Sequence, residues 1–226
     1  MSILVDGDIV AYRSAYSSEG KTKQEAEEKT DEVMDEITFS TTDRGEKVEV
    51  FLTGKGNFRY DISPTYKANR KDTVKPEHLS HVRDYLVKAW DAVISSGVEA
   101  DDLIAMRATE LGFKCVIVST DKDFKQIPCR HYNPMKDEWL EVEEFEGLTF
   151  FYSQILTGDR SDNVEGLYRV GPVKAKAILD GATTEEELYE KVVEAYEGNE
   201  ELVVMNARLL WLRRKEEELW LPPHQR

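Results

Sequence analysis

Ile3-Leu4-Val5-Asp6-Gly7-Asp8-Ile9-Val10-Ala11-Tyr12-Arg13 opens the chain with three apolar residues that break at once on two aspartates. Ile3 to Val5 predicts a short buried strand ending at Asp6, and Ile9, Ala11, Tyr12 and Tyr16 fall at helical spacing after it. The same alternation recurs further on. Val48-Glu49-Val50-Phe51-Leu52 predicts a second strand, and Phe113 to Val118 a third. The third is preceded by a helix that opens near Glu99 and stops before Gly112. Strands alternating with helices predict an α/β fold with a mostly parallel central sheet flanked by helices.

Other local signals place the rest of the chain. Thr22-Lys23-Gln24-Glu25 has the form of a capping box, opening a helix toward Ile37. Pro76 suits the first turn of a helix running to about Ser95. Between them, Thr53 to Lys75 is polar sequence with Gly, Pro and Asn, and loops of that length inside compact domains are commonly functional. Beyond about Gly147 the pattern is helical: Leu148 to Thr157, Pro172 to Leu179, Glu185 to Tyr196 and Glu200 to Leu219. The expected organisation is an α/β core over residues 1–146, carrying a basic flap at about 54–76, and a helical subdomain over 147–226.

Charge narrows the function. The 226 residues carry 45 acidic and 30 basic side chains, a formal net charge of -15, which argues against coating a polyanion by bulk attraction. Yet Lys55, Arg59, Lys67, Arg70, Lys71 and Lys75 face only Asp61 and Asp72 over one stretch, a basic strip able to hold a polyanion locally. Cys115 and Cys129 are too few and too far apart for a disulfide framework. No apolar run approaches ~18 residues, so no membrane span is expected. The acidic start lacks a basic leader segment, and the expected compartment is a reducing cytoplasm.

Acids recur where strands end and helices begin: Asp6 and Asp8; Glu99, Asp101 and Asp102; Asp121 and Asp123; Asp159 and Asp162. In parallel sheets the carboxyl ends of the strands form the functional crevice. Asp6 and Asp121 therefore converge if their strands are neighbours. Glu99 and Asp102 share a helical face at i,i+3, and Asp121 and Asp123 point the same way if extended. Two carboxylates ~5 Å apart repel by about 3 kcal/mol at an effective dielectric near 20, so a gathered set must protonate or collect cations. All-oxygen ligands favour hard ions, Mg²⁺ or Mn²⁺ first among those that serve phosphate chemistry. Two such ions ~4 Å apart would clamp a phosphodiester. Any one pair taken alone also fits ordinary helix capping.

Five segments then fall in one order: Val5 to Arg13; Tyr66-Lys67-Ala68-Asn69-Arg70-Lys71; Gly97-Val98-Glu99-Ala100-Asp101-Asp102; Ser119-Thr120-Asp121-Lys122-Asp123-Phe124; and Gly158-Asp159-Arg160-Ser161-Asp162-Asn163-Val164-Glu165-Gly166. Together they resemble the 5′-nuclease superfamily of flap endonucleases and 5′→3′ exonucleases, with stand-alone bacteriophage exonucleases and the nuclease domain of bacterial DNA polymerase I the nearest likeness. The resemblance implies a PIN-like core and a helix–three-turn–helix at about 150–180. It implies Mg²⁺- or Mn²⁺-dependent hydrolysis of DNA phosphodiesters near 5′ ends, flaps or nicks during replication, with RNA–DNA primers as further substrates. A free-standing, monomeric, phage-encoded enzyme acting in the host cytoplasm is the matching expectation.

Site roles follow from the same resemblance. Asp6, Glu99, Asp101 and Asp102 would serve one metal ion, and Asp121, Asp123, Asp159 and Asp162 a second. Asp101 and Asp121 would stand at the catalytic centre with Lys67 and Arg70, which grip the scissile phosphate, and Tyr66 would stack on a nucleobase. Lys71, Gly166, Gly171, Lys174 and Lys176 would contact DNA, with K⁺ held in the hairpin. The chain departs from the pattern at Gly54, where many relatives carry Asp, and at Arg169 and Val173, where Gly and Lys are frequent.

Two other readings predict different behaviour. Asp6-Gly7-Asp8-Ile9-Val10 also matches the nucleophile motif of haloacid-dehalogenase-like phosphatases, with Asp6 as covalent nucleophile and Asp8 as acid/base. A non-catalytic DNA-binding module would use its acids only to hold a structural ion. No GxxxxGK[ST] run exists, and His78 and His81 share a helical face without an evident third ligand.

Overall fold

The computed structural model describes residues 1–42, 45–71 and 73–226. Its elements run β1 (Ser2–Asp6), α1 (Gly7–Ser17), α2 (Lys23–Thr41), β2 (Lys47–Lys55), α3 (Arg59–Ile62), α4 (Leu79–Ala89), β3 (Val93–Ser96), α5 (Ala100–Leu111), β4 (Cys115–Val118), β5 (Arg130–Asn133), β6 (Glu138–Glu141), α6 (Glu144–Thr157), β7 (Gly158–Asp159), β8 (Val164–Glu165), α7 (Pro172–Leu179), α8 (Glu185–Ala195) and α9 (Glu200–Leu210). They form two compact units, Met1–Asn57 with Thr73–Val142 and Phe58–Asp72 with Glu143–Arg226. Most of the basic stretch expected on the α/β core thus belongs with the helical unit. Asp72, one of the two acids of that stretch, lies outside the described residues.

The first unit is built on a six-stranded sheet in the order β3-β2-β1-β4-β5-β6. The first five strands are parallel to their neighbours, and β6 runs antiparallel to β5. β1 lies between β2 and β4 and is buried along its whole length, as a strand covered on both faces must be. Ile3, Val5, Val50, Leu52, Val116 and Val118 pack with apolar residues of α1, α2 and α4 in one core cluster. The alternate residues Leu4 and Ile117 point to the opposite face, the side covered by α5 with its buried Ala100, Ile104, Ala105 and Ala108.

Two helix limits differ from expectation. The helix beginning beyond Pro76 ends at Ala89 rather than near Ser95. The Trp90 indole turns to donate to Asp31 on α2 at 2.9 Å, and Asp91 adopts a left-handed φ of 51°, which a helix cannot continue through. The chain then re-enters the sheet as β3, whose Val93 and Ile94 are half exposed. Likewise α9 stops at Leu210, not Leu219. The buried Arg59 guanidinium donates to the carbonyls of Leu209 at 2.9 Å and Trp211 at 2.7 Å, fixing the helix end.

The second unit gathers α6 to α9 around an aromatic centre. Phe151 meets Trp211 edge-on at 4.8 Å between centroids, and Trp220 packs on Phe151, Tyr152 and Tyr189. The expectation of purely helical sequence after Gly147 is corrected at one place. β7 and β8 pair in a two-stranded hairpin between α6 and α7. Gly158 and Gly166 face one another there, and a Cβ on either would lie 2.3 Å from the other's amide nitrogen.

Candidate active site

β1 delivers Asp6 to the carboxyl end of the sheet. Its carboxylate caps α1, accepting from the amides of Asp8 at 3.1 Å and Ile9 at 3.4 Å, and it accepts the Ser119 hydroxyl at 2.8 Å. The residue is only 3% exposed. Burial is the main cause of a pKa raised to about 7, and the Asp8 carboxylate adds to it. The hydrogen bonds from Ser119 and Ile9 oppose the rise, and Asp121 contributes further repulsion. A bound cation would offset both the desolvation and the repulsion, so the donor chemistry fits a hard divalent ion.

Asp8 is differently placed. Its Oδ2 accepts from the Thr53 amide at 3.0 Å, and its Oδ1 pairs with the Arg83 guanidinium, which also donates to the Thr53 carbonyl. The Thr53 hydroxyl in turn accepts from the Ala100 amide at 3.0 Å. Thr53 therefore ties together the starts of α1 and α5 and the middle of α4. Neither Thr53 nor Arg83 stands out in the sequence, because their importance comes from parallel strand neighbours rather than from local pattern. Arg83 already matches the charge of Asp8, which leaves the phosphatase reading without its acid/base.

Gly54 follows. A Cβ there would lie 1.9 Å from the Ser95 carbonyl oxygen. The Gly54 amide donates to Ser95 Oγ at 3.0 Å, and that hydroxyl donates onward to the Val98 carbonyl at 2.6 Å. No side chain, aspartate included, fits where β2 approaches β3 this closely.

Glu99 and Asp102, the expected ligand pair, form a reciprocal capping box at the start of α5, with Asp102 fully buried and accepting from the Glu99 amide at 3.1 Å. Asp101, in the same first turn, is half-buried. Asp121 follows β4, the strand beside β1, so the expected neighbour relation holds. The extended geometry expected for Asp121 and Asp123 is replaced by a tight 3-10 turn over Lys122–Gln126, with Asp121 accepting the Asp123 amide at 2.9 Å. Ser119 joins the two acidic positions, accepting from the Asp121 amide at 3.0 Å while donating to Asp6. Among the described residues no three His, Cys, Asp or Glu side chains stand close enough to cage a metal ion as they lie.

The remaining candidates lie in the second unit. Asp159 is buried and accepts from the Ser161 amide at 2.7 Å and hydroxyl at 2.5 Å. Asp162 accepts from the Tyr66 hydroxyl at 2.7 Å and Arg70 Nη2 at 2.6 Å, with Lys67 Nζ at 3.6 Å. The charge of Asp162 is thereby matched by two cations, a poor setting for a metal ligand. Tyr66, expected to stack on a base, is 3% exposed and edge-on to Tyr60, so it has no open face. Lys71, Lys174 and Lys176 are exposed. Gly171 is not sterically required, having φ -105° and open space beside it. Asn163 and Arg169 are the left-handed non-glycine residues of this segment, each at φ 58°.

The comparisons agree with this architecture. The family model for the 5′-3′ exonuclease, N-terminal resolvase-like domain, matches residues 1–148. Flap endonuclease Xni of Vibrio cholerae is 35% identical over 159 residues, 61% of this chain and 59% of the relative, so the match spans less than two thirds of that protein's length. DNA polymerase I of Rhizobium leguminosarum is 33% identical over 162 residues, 64% of this chain and 16% of the polymerase. The solved structure of T5 5′-exonuclease with divalent zinc ions bound superposes with a TM-score of 0.70 at 19% identity, covering 93% of this chain and 89% of that one. The catalytic core of Rad2 with a DNA substrate gives 0.55 at 12% identity, covering 98% and 83%. These structures share the fold. With the family model covering well over half its length, the chain belongs to the 5′-3′ exonuclease family.

Proposed function

We propose that the chain is a divalent-metal-dependent nuclease that hydrolyses DNA phosphodiesters near 5′ ends, flaps or nicks. The observation that carries the reading is Asp6, a buried carboxylate at the end of the central strand whose proton affinity is raised toward neutrality by burial and by Asp8 and Asp121. Such a group calls for a cation. In the first unit Asp6, Asp101, Asp121 and Asp123 would hold Mg²⁺ or Mn²⁺, and in the second Asp159 would hold a further ion. When bound, such ions stabilise charge on a transferring phosphoryl group. Ser119 keeps Asp6 oriented, and Arg83 keeps Asp8 from competing for the ion. In the second unit Lys67 and Arg70, now on Asp162, would pass to a DNA phosphate, whose charge is the stronger attraction for the pair.

RNA–DNA primers as substrates, K⁺ in the α6–α7 hairpin, a monomeric state and a cytoplasmic site of action belong to the same proposal. Among the described residues no helix is long and apolar enough to cross a membrane. The curated relatives compared are bacterial, so a phage source is not part of it.

The test uses end-labelled flap, nicked and blunt duplexes with Mg²⁺ or with excess chelator. Short 5′-derived products are expected with the metal and none with the chelator. Equal cleavage in chelator, or intact DNA beside rapid turnover of a small phosphomonoester, would overturn the reading.

A further inference from the structure

Cys115 and Cys129 are distant in sequence, but the sheet brings them side by side. β4 and β5 are parallel neighbours with Val116 opposite Arg130, so the register one step earlier sets Cys115 opposite Cys129. Side chains in register on adjacent strands leave the sheet on the same face, and such strands lie roughly 4.8 Å apart. That spacing falls inside the Cα range of about 4.4–6.8 Å that a disulfide accepts. Both residues are free thiols without exposed surface. Their sulfurs are in hydrogen-bond contact. The bond from Cys129 lowers the pKa of Cys115 against the effect of burial, with Arg107 and Arg130 assisting, and the same bond raises that of Cys129. Cys115 Sγ also lies 3.2 Å from the Gly112 carbonyl oxygen, in the short turn Gly112–Lys114 whose Phe113 and Lys114 are exposed. The pair thus sits just beneath a surface turn, and the proposed cleavage uses neither sulfur.

We infer that Cys115 and Cys129 are an internal thiol pair that hydrogen peroxide converts into a reversible disulfide, fastening the base of the loop that carries Ser119, Asp121 and Asp123. The Cys115 thiolate attacks one peroxide oxygen, the O–O bond breaks, and a sulfenic acid forms as the other oxygen leaves as water. The Cys129 sulfur then attacks the sulfenic sulfur, the S–O bond breaks, and that oxygen leaves as a second water. Each thiol gives up one proton and one electron, and the peroxide is reduced to water. A resolving thiol already in contact captures the sulfenic acid before more peroxide can carry it to the irreversible sulfinic acid. Because the strands stand at bridging distance, the bond forms without backbone movement. The inference depends on the two thiols and the sheet, and it stands apart from the nuclease reading.

The experiment treats the full chain, reduced and then freed of reductant, with hydrogen peroxide under native conditions and with chelator present. Remaining thiols are alkylated in denaturant, and the peptides are mapped by mass spectrometry without reduction. The expected product is a peptide pair joined through Cys115 and Cys129 within a single chain, with both thiols lost to alkylation and both recovered by dithiothreitol. Cys129→Ala should give no linked pair and carry Cys115 to sulfinic acid, since no resolving thiol remains. Amide hydrogen exchange over 116–128 should slow several-fold in the oxidised parent, because a loop tied at its base opens less freely. Both thiols still free after peroxide, or a link that joins only separate chains, would overturn the inference. A link that forms only in denaturant would do the same, as would sulfinic acid in the parent in place of the link. So would unchanged exchange over the loop, or a free Cys115 thiol in the treated Cys129→Ala variant.

Discussion

Asp6→Asn is expected to lower single-turnover cleavage of a 5′-flap substrate by about a thousandfold or more, with DNA binding little changed. The amide is nearly isosteric with the carboxylate. Its oxygen still accepts from the amides of Asp8 and Ile9, so the start of α1 keeps its cap. What is lost is the negative charge at the end of β1, in the one place where burial and the neighbouring Asp8 and Asp121 make that charge costly without a cation. The substitution thus keeps the helix cap but removes the cation ligand, together with the acceptor of the Ser119 hydroxyl. A variant that cleaves within about tenfold of the parent would take Asp6 out of the metal site, since loss of a direct ligand costs more than that.

Gly54→Ala is expected to destabilise the first unit by about 3 kcal/mol, at the upper end for added core volume. The new methyl would lie 1.9 Å from a backbone oxygen, that of Ser95, and 2.7 Å from the Ile94 side chain. The nearest atom is backbone and cannot swing aside as a side chain could, so β2 and β3 must part. That separation would also break the Gly54–Ser95 hydrogen bond and shift Thr53, which holds Asp8 and the start of α5. Urea unfolding of the variant should show a lower midpoint with a similar slope. Gly171→Ala serves as the control. With φ at -105° and nothing within 4 Å, it should stay within about 0.5 kcal/mol of the parent. Equal stability of the two variants would contradict the steric account of Gly54.

What the sequence made legible was local chemistry with a strong period or a clear cap. β1, β2 and the end of β4 read directly from apolar runs, and the Thr22 capping box and the Pro172 helix start appear where the residues place them. Asp6 and Asp121 come to neighbouring strands as the acids at strand ends implied. β3 was invisible because Val93 and Ile94 continue the apolar content of the preceding helix, and only Asp91 in a left-handed conformation separates the two. The hairpin of β5 and β6 escaped for a related reason. Glu138 to Glu141 are exposed along an edge and carry no buried alternation.

The site was legible in its residues and less so in their partners. Glu99 and Asp102 have the spacing of paired ligands and of a capping box alike, and the structure uses them as the box. Tyr66 sits in a basic, polar stretch that suggests exposure, yet its hydroxyl is held by an acid 96 positions later in the chain. The pairing of Lys67 and Arg70 with Asp162 has the same long-range origin. Such contacts are set by tertiary packing, and no window of sequence contains both partners. The requirement for glycine at position 54 is similar, because the atom that forbids a side chain belongs to Ser95.

The proposed function requires acidic side chains at the carboxyl end of the sheet to take up a divalent cation, with Asp6 as the indispensable ligand. Calorimetric titration of the metal-free chain with Mn²⁺ near neutral pH tests this without any DNA or any turnover. Saturable binding by the parent, with the equivalent of Mn²⁺ held at Asp6 lost in Asp6→Asn, is the predicted result. Identical titrations for parent and variant, or no binding by the parent, would contradict it.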